Sequence, residues 1–391
     1  MYRELVRRGL VIGEVGRGTF VRAAPGRPAL AEPAAAPVDL ELNFPVLPEH
    51  SGVLADSLRA VLRPDVLAES IRAVGVAGTS DSRIAAAALL SRGGWTPEPD
   101  SILFAGNGRQ AIAAAIAALV RPGERLGVEE ITYAVVKGIA ERLGVTFVPL
   151  AVDSLGVTPD ALSSAGLLRA VYLQPALHNP LGITMDASRR CAVAEVLTSR
   201  GIALIEDTTY GFLHDDPPLW PLVRHAVLVD SLSKRIAPGL TLGFAVTTPD
   251  LRPAVTTAVR SGAWSPQRFA LTAMTTWATD GTATRLRTDK RADARARQEL
   301  AAHHLAGFDI QADPRSYHLW WRLPAHWRPD TFTAAASRAG IALTPAASFA
   351  VPPAPVPNAV RLALAAPPLP TLTTALTHLA ALATTPDPFT D

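Results

Sequence analysis

Residues 230–244, DSLSKRIAPGLTLGF, connect two apolar runs of β type, residues 226–229 and 242–246. Lys234 therefore stands on a short turn of small and polar residues between two segments that are typical of buried strands. This is an unusual position for a solvated cation. A buried lysine shifts its pKa readily, which suits nucleophilic and Schiff-base chemistry. The motif S-x-S-K taken alone more often marks a surface lysine, so its interpretation depends on the rest of the chain.

From residue 101 onward, apolar runs of strand length alternate with helical stretches. The predicted strands are 102–104, 125–129, 146–150, 170–173, 203–206, 226–229 and 242–246, and the predicted helices include 110–119, 134–143 and 188–200. Apolar strands joined by helices indicate an α/β fold with a mainly parallel sheet covered on both faces. The link 230–242 is too short for a helical crossover, so the last strand is predicted to be antiparallel.

The composition limits the class of protein. The chain has 391 residues, of which 48% are hydrophobic and 18% charged, and its formal net charge is +2. This suffices for one large and one smaller domain and gives no sign of nucleic-acid or membrane binding. The single cysteine, Cys191, excludes a disulfide within the chain and favours a cytoplasmic location; we predict that it packs in its helix. No apolar run approaches the roughly 18 residues of a membrane-spanning helix, and the N-terminus lacks the apolar core of a signal peptide.

Two further motifs lie upstream of Lys234, each directly after an apolar run. Residues 174–182 are QPALHNPLG and residues 205–211 are IEDTTYG. The order N-P-x-G, D-x-x-Y, S-x-S-K resembles the fold-type-I pyridoxal-phosphate (PLP) enzymes of the aspartate aminotransferase family, from about residue 40 to the C-terminus. The resemblance implies a homodimer of the PLP-dependent transferase fold type I. In that fold a large domain with a seven-stranded, mostly parallel sheet is joined to a small C-terminal α/β domain. PLP is the cofactor it implies, and no metal site is predicted.

The resemblance assigns roles to five side chains. Lys234 is predicted to form the internal aldimine with PLP and then to act as the general base at the substrate Cα. Asp207 is predicted to face the pyridine nitrogen and keep it protonated, so that the ring serves as an electron sink. Asn179 and Tyr210 are predicted to donate hydrogen bonds to the phenolic oxygen, and Tyr133 to stack on the ring. A turn residue at Asn179 and core aromatics at the two tyrosines are the alternatives.

The phosphate of PLP is predicted to bind where the helix 110–119 begins. Gly108 and Arg109 precede that helix. Amide groups at a helix N-terminus bind phosphate, and glycine lets them approach it closely. By the same resemblance, Ser231 and Ser233 are expected to add hydroxyl groups to this site.

The chain departs from the resemblance at two places. Relatives usually carry an arginine that binds the phosphate at the position of Thr241, and Arg109 or Arg235 is predicted to replace it, with Arg109 preferred. Residues 315–318, RSYH, stand where relatives of the MocR type carry a Gly-Gly turn, and these bulky polar groups are expected to narrow the substrate pocket or change its charge.

Arg361, a lone cation in an apolar β run, is predicted to bind the substrate carboxylate through its planar fork. A surface arginine on an edge strand is the alternative.

The N-terminal residues predict a short helix, 2–8, followed by a hairpin up to residue 21. They resemble the last helix and wing of a GntR-type winged-helix domain, which MocR regulators fuse to an aminotransferase-like domain. The earlier helices are absent, so specific DNA binding is not expected; an unrelated hairpin is the alternative.

The predicted units are the winged-helix remnant 1–23, a Pro/Ala linker 24–39, a segment packing on the small domain 40–74, the PLP-binding large domain 75–265, and connector helices with the small domain 266–391. In relatives a loop like that within 75–91 reaches toward the partner subunit.

The sequence thus predicts a cytoplasmic, homodimeric PLP enzyme acting on the α-amino group of an amino acid, in the first place an aminotransferase. A biosynthetic PLP enzyme that catalyses β- or γ-elimination or replacement stays open, because the pocket decides which Cα bond breaks. A MocR-like regulator that senses PLP is the alternative from another class.

Overall fold

The computed structural model describes residues 11–14, 18–21 and 36–386, the first two ranges as backbone only. The strands, labelled β1 to β17 in chain order, are Val11–Glu14, Gly18–Val21, Val38–Asp39, Ile102–Ala105, Arg125–Glu129, Thr146–Leu150, Val152–Asp153, Gly156–Val157, Ala170–Leu173, Ala203–Asp207, Ala226–Ser231, Gly243–Thr247, Asp309–Ala312, His318–Arg322, Ile341–Ala342, Thr344–Pro345 and Ala359–Ala363. The α-helices are His50–Val61, Pro64–Ser70, Ser80–Leu90, Gly108–Leu119, Ala134–Arg142, Pro159–Ser164, Ala187–Ser199, Leu232–Arg235, Arg252–Ser261, Arg268–Thr279, Thr282–His304, Pro329–Arg338 and Leu369–Thr384.

Seven strands form the central sheet in the order β4-β12-β11-β10-β9-β5-β6. β12 is antiparallel to both of its neighbours, whereas the other pairs are parallel. Both predictions, seven strands and an antiparallel last strand, are confirmed, and the strand bounds agree to within two residues. The middle strands are buried on both faces because helices cover the sheet on each side, which explains their continuous apolar runs.

The parallel strands bring the predicted motifs to one edge of the sheet. Gln174 follows β9, Asp207 ends β10 and Ser231 ends β11. Because these strands run parallel, their carboxyl ends lie side by side, and ligands of open α/β sheets bind at that edge. The sheet topology therefore gathers three segments that are far apart in sequence.

The C-terminal part of the chain forms a second, smaller sheet of order β13-β14-β17-β16, antiparallel throughout. Its core contains three aromatic side chains that pack edge to face, Trp321, Trp327 and Phe332. Leu40 is fully buried in the same core, and β3 pairs with β15. The N-terminal segment is thus bound to the small domain before it continues to the helix His50–Val61.

The remaining expectations concern peripheral segments. β1 and β2 pair antiparallel, so the predicted hairpin is confirmed, while the predicted helix 2–8 and the linker up to residue 35 lie outside the described residues. The prediction that Cys191 packs in its helix is wrong: it lies on Ala187–Ser199, but the buried face of that helix is formed by other residues and the thiol is exposed. Within the described part of the chain, no helix combines the length and apolarity needed to cross a membrane.

Candidate active site

A cavity of about 570 Å³ lies at the carboxyl ends of β9, β10 and β11. The predicted site residues that line it are Lys234, Asp207, Asn179, Tyr210, Tyr133, Gly108, Arg109, Ser231 and Ser233. These residues come from separate loops, and the fold brings them to a single cavity. The location and the residue types support one binding site at the sheet edge.

Lys234 lies on the one-turn helix Leu232–Arg235 between β11 and β12. Its Nζ donates to the backbone O of Asn43 at 2.7 Å and to Tyr210 Oη at 3.0 Å. Burial lowers the pKa of Lys234 to about 8; Arg361 adds to this shift and Tyr133 opposes it. A lysine with this pKa is partly unprotonated near neutral pH, so the amine is available as a nucleophile and as a base.

A second lysine holds this turn in place. Lys290 is fully buried in the long helix Thr282–His304, and its Nζ donates to the backbone carbonyls of Lys234, Arg235 and Ile236 at 2.8, 3.1 and 2.7 Å. The last carbonyls of a helix have no partner within it, so a side-chain donor at this end satisfies and stabilises them. Lys290 therefore fixes the backbone from which the Lys234 side chain extends.

Three residues donate to Asp207, and Thr209 does so through its hydroxyl group as well as its amide. Asp207 Oδ2 accepts from Tyr172 Oη at 2.5 Å and from Gln174 Nε2 at 3.2 Å, and its Oδ1 accepts from the Thr209 amide at 2.9 Å. These bonds orient the carboxyl group in the cavity wall. An oriented acceptor at this place matches a ligand that presents an N–H group.

Arg361 lies on β17 and reaches the site from the small domain. Its Nη1 donates to Asn179 Oδ1 at 3.3 Å and its Nη2 to Thr344 Oγ1 at 2.9 Å. Its Nε is buried and has no partner among the described residues. Arg361, Asn179 and Lys234 line a second cavity of about 150 Å³, and Asn179 and Lys234 line the larger cavity as well. The guanidinium is therefore placed to bind an anion close to the lysine.

The other end of the cavity is built around the start of the helix Gly108–Leu119. Asn107 caps this helix, its Oδ1 accepting from the Gln110 amide at 3.0 Å. A Cβ on Gly108 would lie 2.9 Å from Ser231 Cβ, so only glycine allows the two loops to approach this closely. The free amides and the dipole of a helix start attract an anion.

Arg109 and Thr241 also line this end of the cavity. Ser233 Oγ and Thr241 Oγ1 are 2.5 Å apart, so hydroxyl groups occupy the place that the resemblance gives to an arginine. With the glycine-bounded helix start beside them, these residues fit the phosphate of the predicted cofactor.

The prediction of Arg235 as a cofactor-binding residue is contradicted. Its guanidinium forms two hydrogen bonds with Asp230, Nε to Oδ1 at 3.1 Å and Nη2 to Oδ2 at 2.6 Å, and it does not line the cavity. Successive residues of a helix point about 100° apart, so the turn that directs Lys234 into the cavity directs Arg235 away from it.

The expected narrowing of the pocket by residues 315–318 is contradicted as well. Arg315 forms ion pairs with Asp313 and Asp216, and no residue of 315–318 lines either cavity. His318 is fully buried behind Tyr210, with the two ring centroids 5.4 Å apart. The polar side chains of this turn are used within the fold.

Sequence reasoning missed four residues that support the site, namely Asn43, Tyr172, Gln174 and Lys290. Tyr172 and Gln174 flank the end of a predicted strand, which is the signal that could have found them. Asn43 lies in a segment without periodicity, and Lys290 resembles any solvated lysine of a charged helix. Only the packed structure identifies these two.

Comparisons with known proteins identify the family of this chain. A family model described as aminotransferase class I and II matches residues 51–379. The uncharacterized HTH-type transcriptional regulator YdeF of Bacillus subtilis (strain 168) is 30% identical, over 92% of this chain and 80% of its own length. The vitamin B6 salvage pathway transcriptional repressor PtsJ of Salmonella typhimurium is 28% identical, over 86% of this chain and 78% of its own length.

The fold is shared with solved structures. LysN, the α-aminoadipate aminotransferase of Thermus thermophilus, solved with N-(5'-phosphopyridoxyl)-L-leucine, superposes with a TM-score of 0.80 at 19% identity, covering 98% of each chain. The predicted fold type I, the PLP cofactor and the aminotransferase class are thereby confirmed. The matched family model, the shared fold and the residues gathered around Lys234 lead to one conclusion: this chain belongs to the aminotransferase class I and II family, and its cofactor is PLP.

Proposed function

We propose that this chain transfers the amino group of an α-amino acid to a 2-oxo acid, with PLP held in the 570 Å³ cavity. The observation that supports this most strongly is a lysine amine with a pKa of about 8 in a cavity that adjoins the guanidinium of Arg361. PLP supplies an aldehyde that amines can join and a ring that accepts electrons from Cα. The chain supplies binding, orientation and proton movement.

The side chains divide this work among themselves. Asp207 would face the pyridine nitrogen of bound PLP, because it is the acceptor held in the cavity wall by Tyr172 and Gln174. Tyr210, which lies beside Lys234, would donate to the phenolic oxygen, and Tyr133, which lines the same cavity, would stack on the ring. Once an amino acid occupies the site, the Lys234 amine acts as a general base that takes the proton from Cα. It then acts as a general acid that gives this proton to another atom of the bound substrate–cofactor pair.

The two ends of the site bind the anionic groups. Arg361 binds the substrate carboxylate through the fork that includes Nε, which has no partner among the described residues, while Asn179 holds one Nη. The phosphate binds at the start of the helix Gly108–Leu119, where Arg109 adds a positive charge. Elimination or replacement at Cβ or Cγ uses the same residues, so the products formed from each amino acid distinguish these reactions from transamination.

The proposed assembly is a homodimer in which residues 75–91 face the partner's active site, as the resemblance implies. Light scattering at micromolar concentration gives the mass directly. A mass near twice 41.2 kDa is expected.

A second candidate function is transcriptional regulation in response to PLP. It is favoured by the names of the two relatives and by the hairpin of β1 and β2, which matches a wing. Specific readout needs a recognition helix in the major groove, whereas wing contacts to phosphate are lost with salt. We expect no sequence-specific binding by residues 1–391 to the DNA upstream of the gene at physiological salt. Nanomolar, PLP-dependent binding there would favour the regulator instead.

The experiment that tests the main proposal locates the cofactor and the chemistry together. Reduction of the PLP-loaded protein with borohydride should label the peptide that contains Lys234, and Lys234→Ala should abolish the label. Lys137→Ala is the matched control, because the Lys137 amine is bonded to the carbonyls of Ser348 and Ala350. An amino-acid panel followed by absorption and mass spectrometry then identifies the reaction. Labelling of Lys137 or Lys290, or no oxo-acid product from any amino acid, would refute the proposal.

A further inference from the structure

We propose that Asn43 is a positioning residue that directs the hydroxyl proton of Tyr210 into the cofactor cavity. The inference rests on the proposed function, since it assumes that PLP occupies the cavity. Asn43 is 4% exposed and contacts two site residues at once. Its Nδ2 donates to Tyr210 Oη at 2.8 Å, and its backbone O accepts from Lys234 Nζ at 2.7 Å.

The orientation of the Asn43 amide follows from His318. His318 Nε2 lies 2.9 Å from the backbone O of His178, and a carbonyl only accepts, so Nε2 bears a proton. Burial lowers the pKa of His318 to about 3, with smaller contributions in the same direction from Arg361 and Lys234, so the ring is neutral and its Nδ1 is an acceptor. Asn43 Nδ2 lies 3.3 Å from this Nδ1. The NH₂ side of the amide therefore faces both His318 and Tyr210.

This orientation determines what Tyr210 can do. Its oxygen accepts from Asn43, so the hydroxyl proton must be donated to another group. Among the described residues, Tyr210 Oη is hydrogen-bonded to Asn43 and Lys234. Lys234 is a donor there as the ammonium that prevails below its pKa of about 8, and its nitrogen is joined to the cofactor when PLP is bound. The acceptor for this proton is then an oxygen of the ligand in the cavity. The phenolic oxygen of PLP is such an acceptor.

The arrangement also leaves one polar atom unpaired. Asn43 Oδ1 is buried and has no partner within the described part of the chain, which is unfavourable for a buried acceptor. Rotating the amide would pair Oδ1 with Tyr210 but set it against the lone pair of His318 Nδ1. The contact with His318 thus holds the amide in the orientation that Tyr210 requires.

The test measures the pH at which the visible absorption band of bound PLP titrates. A hydrogen bond from Tyr210 stabilises the deprotonated chromophore more, because that form has more negative charge on the phenolic oxygen, so the bond lowers the chromophore pKa. Asn43→Asp places an acceptor beside Tyr210 that competes for its proton. The chromophore pKa should then rise by roughly half a unit to one unit, the size expected for one hydrogen bond to a titrating group.

A double-mutant cycle separates this role from a structural one. Tyr210→Phe should raise the chromophore pKa, and Asn43→Ala, which adds no charge to the site, should add nothing in the Tyr210→Phe background. Asn43→Ala, which removes the same donor, should shift the pKa in the same direction and serves if the aspartate variant does not fold. Asn358→Asp is a matched control, since its amide bonds to the Leu323 carbonyl away from the cavity, and it should leave the pKa unchanged.

Two results would overturn the inference. One is an unchanged chromophore pKa in both Asn43 variants, and the other is a shift in the uncharged variant Asn43→Ala that persists in full without the Tyr210 hydroxyl. A wild-type protein that shows no visible PLP band would refute the proposed function itself, and this inference with it.

Discussion

Replacing Arg361 by lysine tests where the substrate carboxylate binds. Arg361 is 5% exposed, and its Nη1 donates to Asn179 while its Nη2 donates to Thr344 and to the Glu41 carbonyl. Its Nε is buried and has no partner among the described residues. A lysine keeps the charge but loses the planar fork. The loss of one charge-assisted bond corresponds to about 1.5–3 kcal/mol, so the substrate KM and the Kd of a carboxylate inhibitor should rise roughly 10- to 150-fold.

The assay follows the spectral change of the PLP form during titration with an amino acid, and separately with a non-reacting carboxylate. Arg361→Lys should keep bound PLP and its visible band, because the residue lies beyond the residues assigned to the phosphate and the ring. Arg322→Lys is the control, since this arginine lies on the neighbouring strand β14, is half exposed and pairs with Asp309. If KM and the inhibitor Kd are unchanged in Arg361→Lys, the carboxylate binds elsewhere and the assignment of Arg361 is refuted.

Three other residues of the site give further predictions. Arg109→Ala should raise the Kd of PLP about 10-fold or more, which is the effect of losing one charge-assisted bond, and adding Thr241→Arg should restore binding. Equilibrium dialysis measures both Kd values. If Arg109→Ala still binds PLP tightly, only amide and hydroxyl groups bind the phosphate. Gly108→Ala should weaken PLP binding, because the new Cβ would lie 2.9 Å from Ser231 Cβ and overpacking of this kind costs about 1–3 kcal/mol. An unchanged Kd of PLP would contradict the close approach of the Gly108 and Ser231 loops. Burial lowers the pKa of Lys290 from 10.5 to about 7 in the folded protein. Between pH 7 and pH 10.5 the unfolded chain therefore binds more protons than the folded one. The free energy of unfolding should then rise by about 2 kcal/mol from pH 7 to pH 9. Lys290→Met should lack this rise in urea titrations of the apo-protein, and parallel pH profiles of the two proteins would contradict the assignment.

The sequence by itself determined the sheet and the order of the site. Each strand of the central sheet is a local apolar run, and the helices between the strands have their own periodicity, so nearest neighbours in the chain already decide these elements. The antiparallel direction of β12 followed from the length of one link, since too few residues separate it from β11 for a crossover. The motifs that end β9, β10 and β11 follow from the same local logic, because parallel strands bring their carboxyl ends together. The strand pattern places Asp207 and Lys234 after neighbouring strands, and the family resemblance assigned both to one cofactor site, where they line a single cavity.

The tertiary structure decided everything that depends on the direction or burial of a side chain. Arg109 and Arg235 were both candidates for the phosphate in the sequence, with Arg109 preferred; in the fold Arg109 lines the cavity, and the helical rotation after Lys234 turns Arg235 toward Asp230. Lys290 becomes a donor to the Lys234 turn only because a helix from a later part of the chain buries it there. Asn43 contacts Lys234 across 191 residues, on a segment whose path is determined by the packing of Leu40 in the small domain. Such contacts arise from packing between distant segments, which no local pattern of residues encodes.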